Sequence, residues 1–314
     1  MKSATLENDQ ITHLPDLWLD GAVPTDTDLR AAKRIAAKLR EFEGLKPFPV
    51  AVQRLVEYVS TPEFKLDRVR EMIEADPALA VRIMRVANSA AYRAYEACTS
   101  VSRAVIRIGA MGVVELAMGM AAMGLFEDLV GVGKKVRDHS AGTAAVAREL
   151  AFRLDQSSLS SKVFLSGLLH DIGKLLMLQT GNRDYVELVT KDQSPNSHHL
   201  RERELLGFDH GQLGAHVLRM WNLPQPIPQI IAAHHQPKVD QGNSAFISRA
   251  VDILRVADGI EWLLGQGASG DSPAGRRLAN SPDGVRAGLS EGKLVALWDD
   301  LLLVRHEAIS IFRQ

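Results

Sequence analysis

Apolar residues recur at helical spacing along most of the chain, and no stretch keeps the alternation of period two that a half-buried strand shows. Between residues 78 and 92, for example, Leu79, Ile83, Val86 and Ala87 fall on one face of a helix. The pattern predicts an all-α protein with helices over residues 28–42, 50–59, 78–92, 101–108, 113–125, 136–154, 162–179, 201–221, 226–235, 245–264 and 291–312.

Proline, glycine and capping residues mark where these helices begin and end. Asp76 and Pro77 suit the cap and the first position of a helix, and Thr61 with Pro62 has the same pattern. Residues 265–283 are rich in Gly, Ser, Asp and Pro, which predicts a surface loop. The polar, weakly periodic residues 1–27 indicate a loosely held arm.

Composition and charge narrow the class of protein. Hydrophobic residues make up 46% and charged residues 24% of the 314 positions, as in ordinary soluble globular proteins. The 37 basic and 38 acidic residues give a net charge of -1, so no global positive field favours nucleic acid. Cys98 is the single cysteine, which excludes an intrachain disulfide and suits a reducing cytoplasm. Because no signal peptide and no long apolar run is visible, we expect a cytoplasmic protein without a membrane span.

The candidate chemistry lies in histidines and carboxylates. His170 and Asp171 are neighbours inside the predicted apolar helix 162–179, where burying a carboxylate beside an imidazole is costly unless both are paired or bind a cation. Such donors suit one or two divalent ions of Fe, Mn, Zn or Ni. The candidate metal ligands are His139, His170, Asp171, His210, His234, His235 and Asp258.

Other interpretations of the same histidines remain open at this point. Adjacent His and Asp residues also occur by chance, and His234 with His235 would stabilise a helix C-terminus through its dipole. His216 follows His210 by six residues, about 240° around a helix, which favours a packing or solvated role.

Several longer motifs, in order over residues 45–237, resemble the HDOD domain, a regulatory relative of the HD phosphohydrolases. They are Pro47-Phe48-Pro49, Ile73-Glu74-Ala75-Asp76-Pro77-Ala78-Leu79, Val86-Ala87-Asn88-Ser89-Ala90-Ala91-Tyr92, Arg103-Ala104-Val105 with Ile108-Gly109, Gly167-Leu168-Leu169-His170-Asp171-Ile172-Gly173, Glu204-Leu205-Leu206-Gly207-Phe208-Asp209-His210, Trp221-Asn222-Leu223-Pro224 and His234-His235-Gln236-Pro237. The resemblance implies a two-lobed helical protein with an arm and amphipathic helix (1–44), an N-terminal helical lobe (45–135), an HD-like lobe (136–264), and a loop with a C-terminal docking helix (265–314).

The resemblance also implies a role in bacterial signalling. Such domains are regarded as output modules that act through protein–protein contacts, so the expected partners are response regulators or enzymes of cyclic-di-GMP turnover. No general enzymatic activity is assigned to the family. The leading hypothesis is therefore a regulatory protein without catalytic turnover.

The alternative is a metal-dependent phosphohydrolase acting on a nucleotide or cyclic dinucleotide. The seven candidate ligands match positions of the HD metal set, and Lys174 matches a lysine after the HD pair of the hydrolytic HD-GYP relatives, where it would stabilise developing charge. Against this, Gln236 and Pro237 stand where those relatives have an acidic segment and a Gly-Tyr-Pro motif. Direct DNA binding is disfavoured, because the charge is balanced and no basic recognition helix is evident.

Overall fold

The computed structural model describes residues 26–41, 48–59, 61, 63–92, 96–191, 195–236 and 245–313. Most of the predicted arm, together with Pro47, Pro62 and Pro237 of the sequence patterns, lies outside these residues. The described residues form α-helices and short 3-10 turns and contain no strand, which confirms the all-α prediction.

The α-helices, numbered in chain order, are α1 (Asp26–Glu41), α2 (Val50–Val59), α3 (Leu66–Glu74), α4 (Pro77–Ala87), α5 (Val101–Ile108), α6 (Ala110–Gly124), α7 (Val132–Arg153), α8 (Ser160–Leu169), α9 (Ile172–Gln179), α10 (Arg183–Lys191), α11 (Pro195–Leu206), α12 (His210–Met220), α13 (Ile227–Ala233), α14 (Ala245–Gly265), α15 (Pro273–Ala279), α16 (Pro282–Ala287) and α17 (Glu291–Phe312). Helices α2, α5 and α17 have the predicted bounds. No single described helix is long and apolar enough to cross a membrane, and the bent pair α5 and α6, 104° apart, meets that test by length and composition alone.

Among the described residues, a capping residue followed by proline starts three of the helices. Asp76 accepts a hydrogen bond from the Leu79 amide at 3.1 Å, as predicted, and Pro77 follows it at the start of α4. Ser272 and Ser281 cap α15 and α16 in the same way. The prediction of a loop over residues 265–283 is therefore wrong, because these Ser-Pro pairs supply an acceptor and a suitable backbone angle for helix initiation.

Three other sequence predictions are corrected. The predicted helix 162–179 is two helices, α8 and α9, and the predicted helix 201–221 is interrupted between α11 and α12. At the second break Gly207 has a φ of +80°, and Asp209 forms a capping box with Gln212. The Thr61 hydroxyl donates to the carbonyl of Tyr58 at 2.7 Å rather than capping a helix, and α3 begins at Leu66.

The chain divides into two compact units, the first within residues 1–47 and 170–248 and the second within residues 48–169 and 249–314. In the second unit α7 packs against α8 and α17. A Cβ on Gly167 of α8 would lie 2.8 Å from the Cα of Ala144 on α7, so glycine allows the two backbones to approach closely. Small buried residues of α7 therefore set the spacing of this core.

In the first unit α12 packs against α9 and α13. A Cβ on Gly173 of α9 would lie 2.0 Å from the carbonyl oxygen of His210, the first residue of α12. A Cβ on Gly211 would lie 2.8 Å from Cε1 of His234, which follows α13. The two glycines thus allow three helix ends to meet, and the histidines at those ends lie side by side.

Candidate metal site

Five of the predicted ligands lie in the first unit, at helix ends. His170 and Asp171 occupy the turn between α8 and α9, rather than the interior of one helix, His210 begins α12, and His234 and His235 follow α13. His210, His234 and His235 each offer a ring nitrogen within 4.8 Å of the others. We call the set of His210, His234, His235 and Asp171 the imidazole cluster.

Asp171 is buried and ionised. Its Oδ2 accepts a hydrogen bond from the Lys174 ammonium at 2.9 Å. Its Oδ1 lies 3.1 Å from Nε2 of His210. Burial raises the pKa of the carboxyl, but His170 and Lys174 outweigh this effect and hold the pKa well below its ordinary value. Oδ1 is therefore a negatively charged oxygen available to a cation.

His210 is oriented by Glu202, a buried residue of α11. The Nδ1 atom of His210 lies 2.6 Å from Oε2 of Glu202, and the backbone amide of His210 donates to the same oxygen at 2.8 Å. The hydroxyl of Tyr185 donates to the other oxygen of Glu202 at 2.8 Å. Because Nδ1 faces a carboxylate, it carries a proton, and Nε2 points toward Asp171.

The charges of His210 and Glu202 follow from the contact between the two side chains. Burial lowers the pKa of His210, but the carboxylates of Glu202 and Asp171 together outweigh this effect and raise the pKa to about 9. Burial raises the pKa of Glu202, but His210 lowers it to about 2. Without a bound ion, His210 is thus an imidazolium paired with a carboxylate on each side.

His234 and His235 are held in the neutral form that can bind a metal. The Nδ1 atom of His234 lies 2.6 Å from the carbonyl oxygen of Ile231 and donates to it, which leaves a lone pair on Nε2. The ring of His235 stacks on that of His199, with centroids 4.3 Å apart. Burial, followed by neighbouring imidazoles, holds the pKa of both His234 and His235 well below the ordinary value.

The imidazole cluster fits a divalent transition metal. Nε2 of His210 lies 3.0 Å from Nε2 of His235 and 3.1 Å from Oδ1 of Asp171. Atoms with lone pairs repel at these distances unless a cation lies among them. A proton on His210 fills that role in the ion-free protein, and imidazole with carboxylate is also the donor set that Zn, Fe, Mn and Ni accept.

The remaining two predicted ligands, His139 and Asp258, contact each other in the second unit. Nε2 of His139 lies 2.8 Å from Oδ1 of Asp258, and Nδ1 contacts the carboxylate of Glu261. Glu261 also accepts a hydrogen bond from Arg305 at 2.9 Å. Burial lowers the pKa of His139, but Glu261 and Asp258 outweigh it and raise the pKa well above its ordinary value. The metal-binding role of both residues stays a prediction.

Two carboxylates at these sites were missed by the sequence prediction. Glu261 lies one helical turn after Asp258 on α14, and this spacing within an apolar helix was a usable signal. Glu202 lies in a highly charged stretch of α11, yet it is fully buried. Nothing in the local sequence distinguishes it from its exposed neighbours.

A family model for the HDOD domain matches residues 45–237, more than half of the chain. This chain belongs to the HDOD domain family. A curated relative, an uncharacterized protein from Treponema pallidum (strain Nichols), is 25% identical over 214 residues, which are 68% of this chain. The chain spans only 41% of the length of that relative.

Solved structures share the fold of this HDOD protein. An HDOD domain protein of unknown function from Geobacter sulfurreducens has a TM-score of 0.69 at 22% identity, over 90% of this chain and 98% of its own. A protein from Shewanella amazonensis SB2B, provisionally named a phosphohydrolase, has a TM-score of 0.69 at 23% identity, over 89% and 98%. A protein from Marinobacter aquaeolei VT8, provisionally named a signal transduction protein, has a TM-score of 0.65 at 20% identity, over 93% and 68%. At these identities the likeness concerns the fold alone.

Proposed function

We propose that this HDOD protein is a bacterial signalling output protein that acts through protein–protein contacts and holds a divalent transition metal in the imidazole cluster without turning over a substrate. Its partners would be response regulators or enzymes of cyclic-di-GMP turnover. The name of the Marinobacter neighbour supports a signalling role by analogy of fold.

Burial of the imidazole cluster carries the proposal. His210, Asp171 and His234 are only 1%, 2% and 3% exposed. A catalytic metal keeps a coordination position open to water and substrate, whereas a structural metal is enclosed by protein donors. Three of the four members are enclosed in this way, and only His235 is partly exposed. This burial favours a metal that stabilises one arrangement of α9, α12 and α13 over one that meets a phosphoester.

The residues that would hold the ion are His210, His234, His235 and Asp171, with Fe, Mn, Zn or Ni as candidates. Glu202 fixes the ring of His210, and the carbonyl of Ile231 fixes that of His234. Lys174 neutralises the second oxygen of Asp171. These contacts set the side chains before a metal arrives, which reduces the ordering that binding requires.

A second candidate function, metal-dependent phosphoester hydrolysis, rests on Lys174. Its ammonium is buried 2.9 Å from Asp171, where it would stabilise charge developing on a phosphoryl group. A bound divalent ion would supply water activation and polarisation of a phosphoryl oxygen. The provisional name of the Shewanella neighbour fits this function by analogy of fold.

A turnover assay separates the two functions. Full-length protein loaded in turn with Mn, Fe, Zn and Ni is incubated with cyclic-di-GMP and with bis-p-nitrophenyl phosphate, beside the Asp171→Asn and Lys174→Met variants. The regulatory proposal predicts rates indistinguishable from those of both variants. Hydrolysis by the loaded wild type that both substitutions abolish would establish the second function and overturn the first.

A further inference from the structure

A cavity of about 180 Å³ in the second unit is lined by an excess of basic side chains. Four cations surround it: Arg82 of α4, Lys134 and Arg137 of α7, and Arg313 directly after α17. We call it the basic cavity. It shares no residue with the candidate metal ligands.

Two carboxylates in the lining neutralise only half of this charge. Glu127 accepts a hydrogen bond from Arg82 at 2.9 Å. Asp138 accepts two from Arg313, at 2.9 and 2.7 Å, and lies 3.6 Å from the ammonium of Lys134. With four cations and two carboxylates among the lining residues, the basic cavity keeps a net charge of +2.

Arg137 is the cation best placed to bind a ligand. It donates one hydrogen bond, from Nη2 to the carbonyl of Leu129 at 3.2 Å. A guanidinium has five N–H donors in a planar fork, so the rest are unused among the described residues. That fork matches the oxygens of a phosphate group.

Four apolar side chains also line the basic cavity. Met120 and Met123 of α6 are buried, and Ile311 and Phe312 belong to α17. Thioether and aromatic side chains adapt to an organic group. The volume equals that of about six waters and lies below the roughly 300 Å³ of pockets that hold drug-sized ligands. A phosphate with a small substituent fits a cavity of this volume.

We infer that the basic cavity binds a small phosphate monoester, with its phosphate among Lys134, Arg137 and Arg82 and its organic part against Met120 and Phe312. A phosphate monoester carries a charge of about -1.5 to -2 at neutral pH. This charge is opposite in sign and similar in size to the net charge of +2 of the lining residues. This binding goes beyond the proposed metal site and requires no metal.

Isothermal titration calorimetry on the full chain tests the inference, with phenyl phosphate, inorganic phosphate and acetate as probes at one ionic strength. Phenyl phosphate should bind most tightly because it fills both the basic and the apolar parts. Inorganic phosphate should bind more weakly, and acetate, with one charge, should not bind measurably. Affinity should fall as salt is added, because part of the attraction is between exposed charges.

Charge variants then locate the site. Lys134→Gln and Arg137→Gln should each weaken phenyl phosphate about tenfold, since each removes a charge-assisted contact. Glu127→Gln should strengthen it about threefold, because it releases Arg82. Arg277→Gln, an exposed arginine of α15 outside the lining, makes the same change of charge as Arg137→Gln and should leave affinity unchanged.

Three results would overturn the inference: no heat of binding with phenyl phosphate up to about 1 mM, equal affinity for acetate and phosphate, or equal losses in Arg277→Gln and Lys134→Gln. Lys134 is half exposed, and its recorded contact is the 3.6 Å ion pair with Asp138, so its substitution should not unfold the protein. The Lys134→Gln result therefore decides whether the basic cavity binds phenyl phosphate, even if Arg137→Gln does not fold.

Discussion

The contact between α9 and α12 places His210 in the imidazole cluster, and a single methyl group should disrupt it. An alanine Cβ at position 173 would lie 2.0 Å from the carbonyl oxygen of His210 and 2.7 Å from its carbonyl carbon. Ordinary contact begins near 3.4 Å, so the oxygen would have to retreat by 3.4 − 2.0 = 1.4 Å. The obstructing atoms are backbone, and no side-chain rotation can relieve the overlap.

Gly173→Ala should therefore lower the free energy of unfolding by about 3 kcal/mol, at the upper end of the overpacking range. It should also weaken metal binding by about 10- to 100-fold, because His210 is displaced from its partners. Stability is measured by urea denaturation in the presence of a chelator, so that the metal makes no contribution. Metal affinity is measured separately by competition with a chromophoric chelator.

Gly292→Ala is the matched control. Gly292 lies in α17, and a Cβ there would have no heavy atom within 4 Å. This substitution should leave stability unchanged or raise it by up to about 1 kcal/mol through helix propensity. If Gly173→Ala behaved like Gly292→Ala in both assays, the proposed role of the close backbone approach would be wrong.

Three further experiments test separate parts of the structure. Glu202→Gln should weaken metal binding about 10- to 100-fold in the chelator competition, because an amide no longer fixes the Nδ1 proton of His210; wild-type affinity would refute that positioning role. Burial, followed by the charge of Arg219, lowers the pKa of His216 to about 4. Since the unfolded pKa is about 6.5, the fold favours the neutral ring, and stability should fall by at most about 3 kcal/mol as the pH drops from about 6.5 to about 4. His216→Leu should remove this fall when the free energy of unfolding, measured by urea denaturation, is plotted against pH. An unchanged fall would show that His216 is not the group responsible. Lys162→Met should cost about 3 kcal/mol because it strands the buried carboxylate of Glu115, and adding Glu115→Gln should recover most of the loss in a double-mutant cycle.

Local signals in the sequence were sufficient for much of the fold. The helices α2 and α17 match the predicted bounds, because Pro49 and Ser290 precede strongly periodic stretches. The Ser-Pro pairs before α15 and α16 are equally informative, and they start helices although the composition around them is rich in Gly and Asp. Thr61 with Pro62 shows that the same residue types do not guarantee a helix start.

The break at His170 and Asp171 could not be read from periodicity. Leu168 and Leu169 before it and Ile172 after it are all fully buried, so the apolar pattern continues through the turn. The break nevertheless determines the geometry of the metal site, because it places His170 and Asp171 at helix ends instead of on one face of a single helix.

The partners of the ligands depend on tertiary packing. The motifs located His210 and His234 but did not reveal Glu202, which is eight residues before His210 and reaches it across the α11–α12 turn. Nor could they reveal that Gly173 sets the distance between α9 and α12. Sequence patterns identify candidate metal ligands. The contacts that fix the protonation and the orientation of each ligand arise only when the helices pack.

Metal content is the direct test of a divalent transition metal in the imidazole cluster. Full-length protein purified without chelator is analysed by inductively coupled plasma mass spectrometry, beside His234→Phe and the control His306→Gln, which removes an exposed histidine of α17. We expect about one equivalent of a transition metal in the wild type and in His306→Gln, and a loss of about tenfold or more in His234→Phe. Less than about a tenth of an equivalent in the wild type, without recovery after reconstitution, or equal metal in all three proteins, would contradict it.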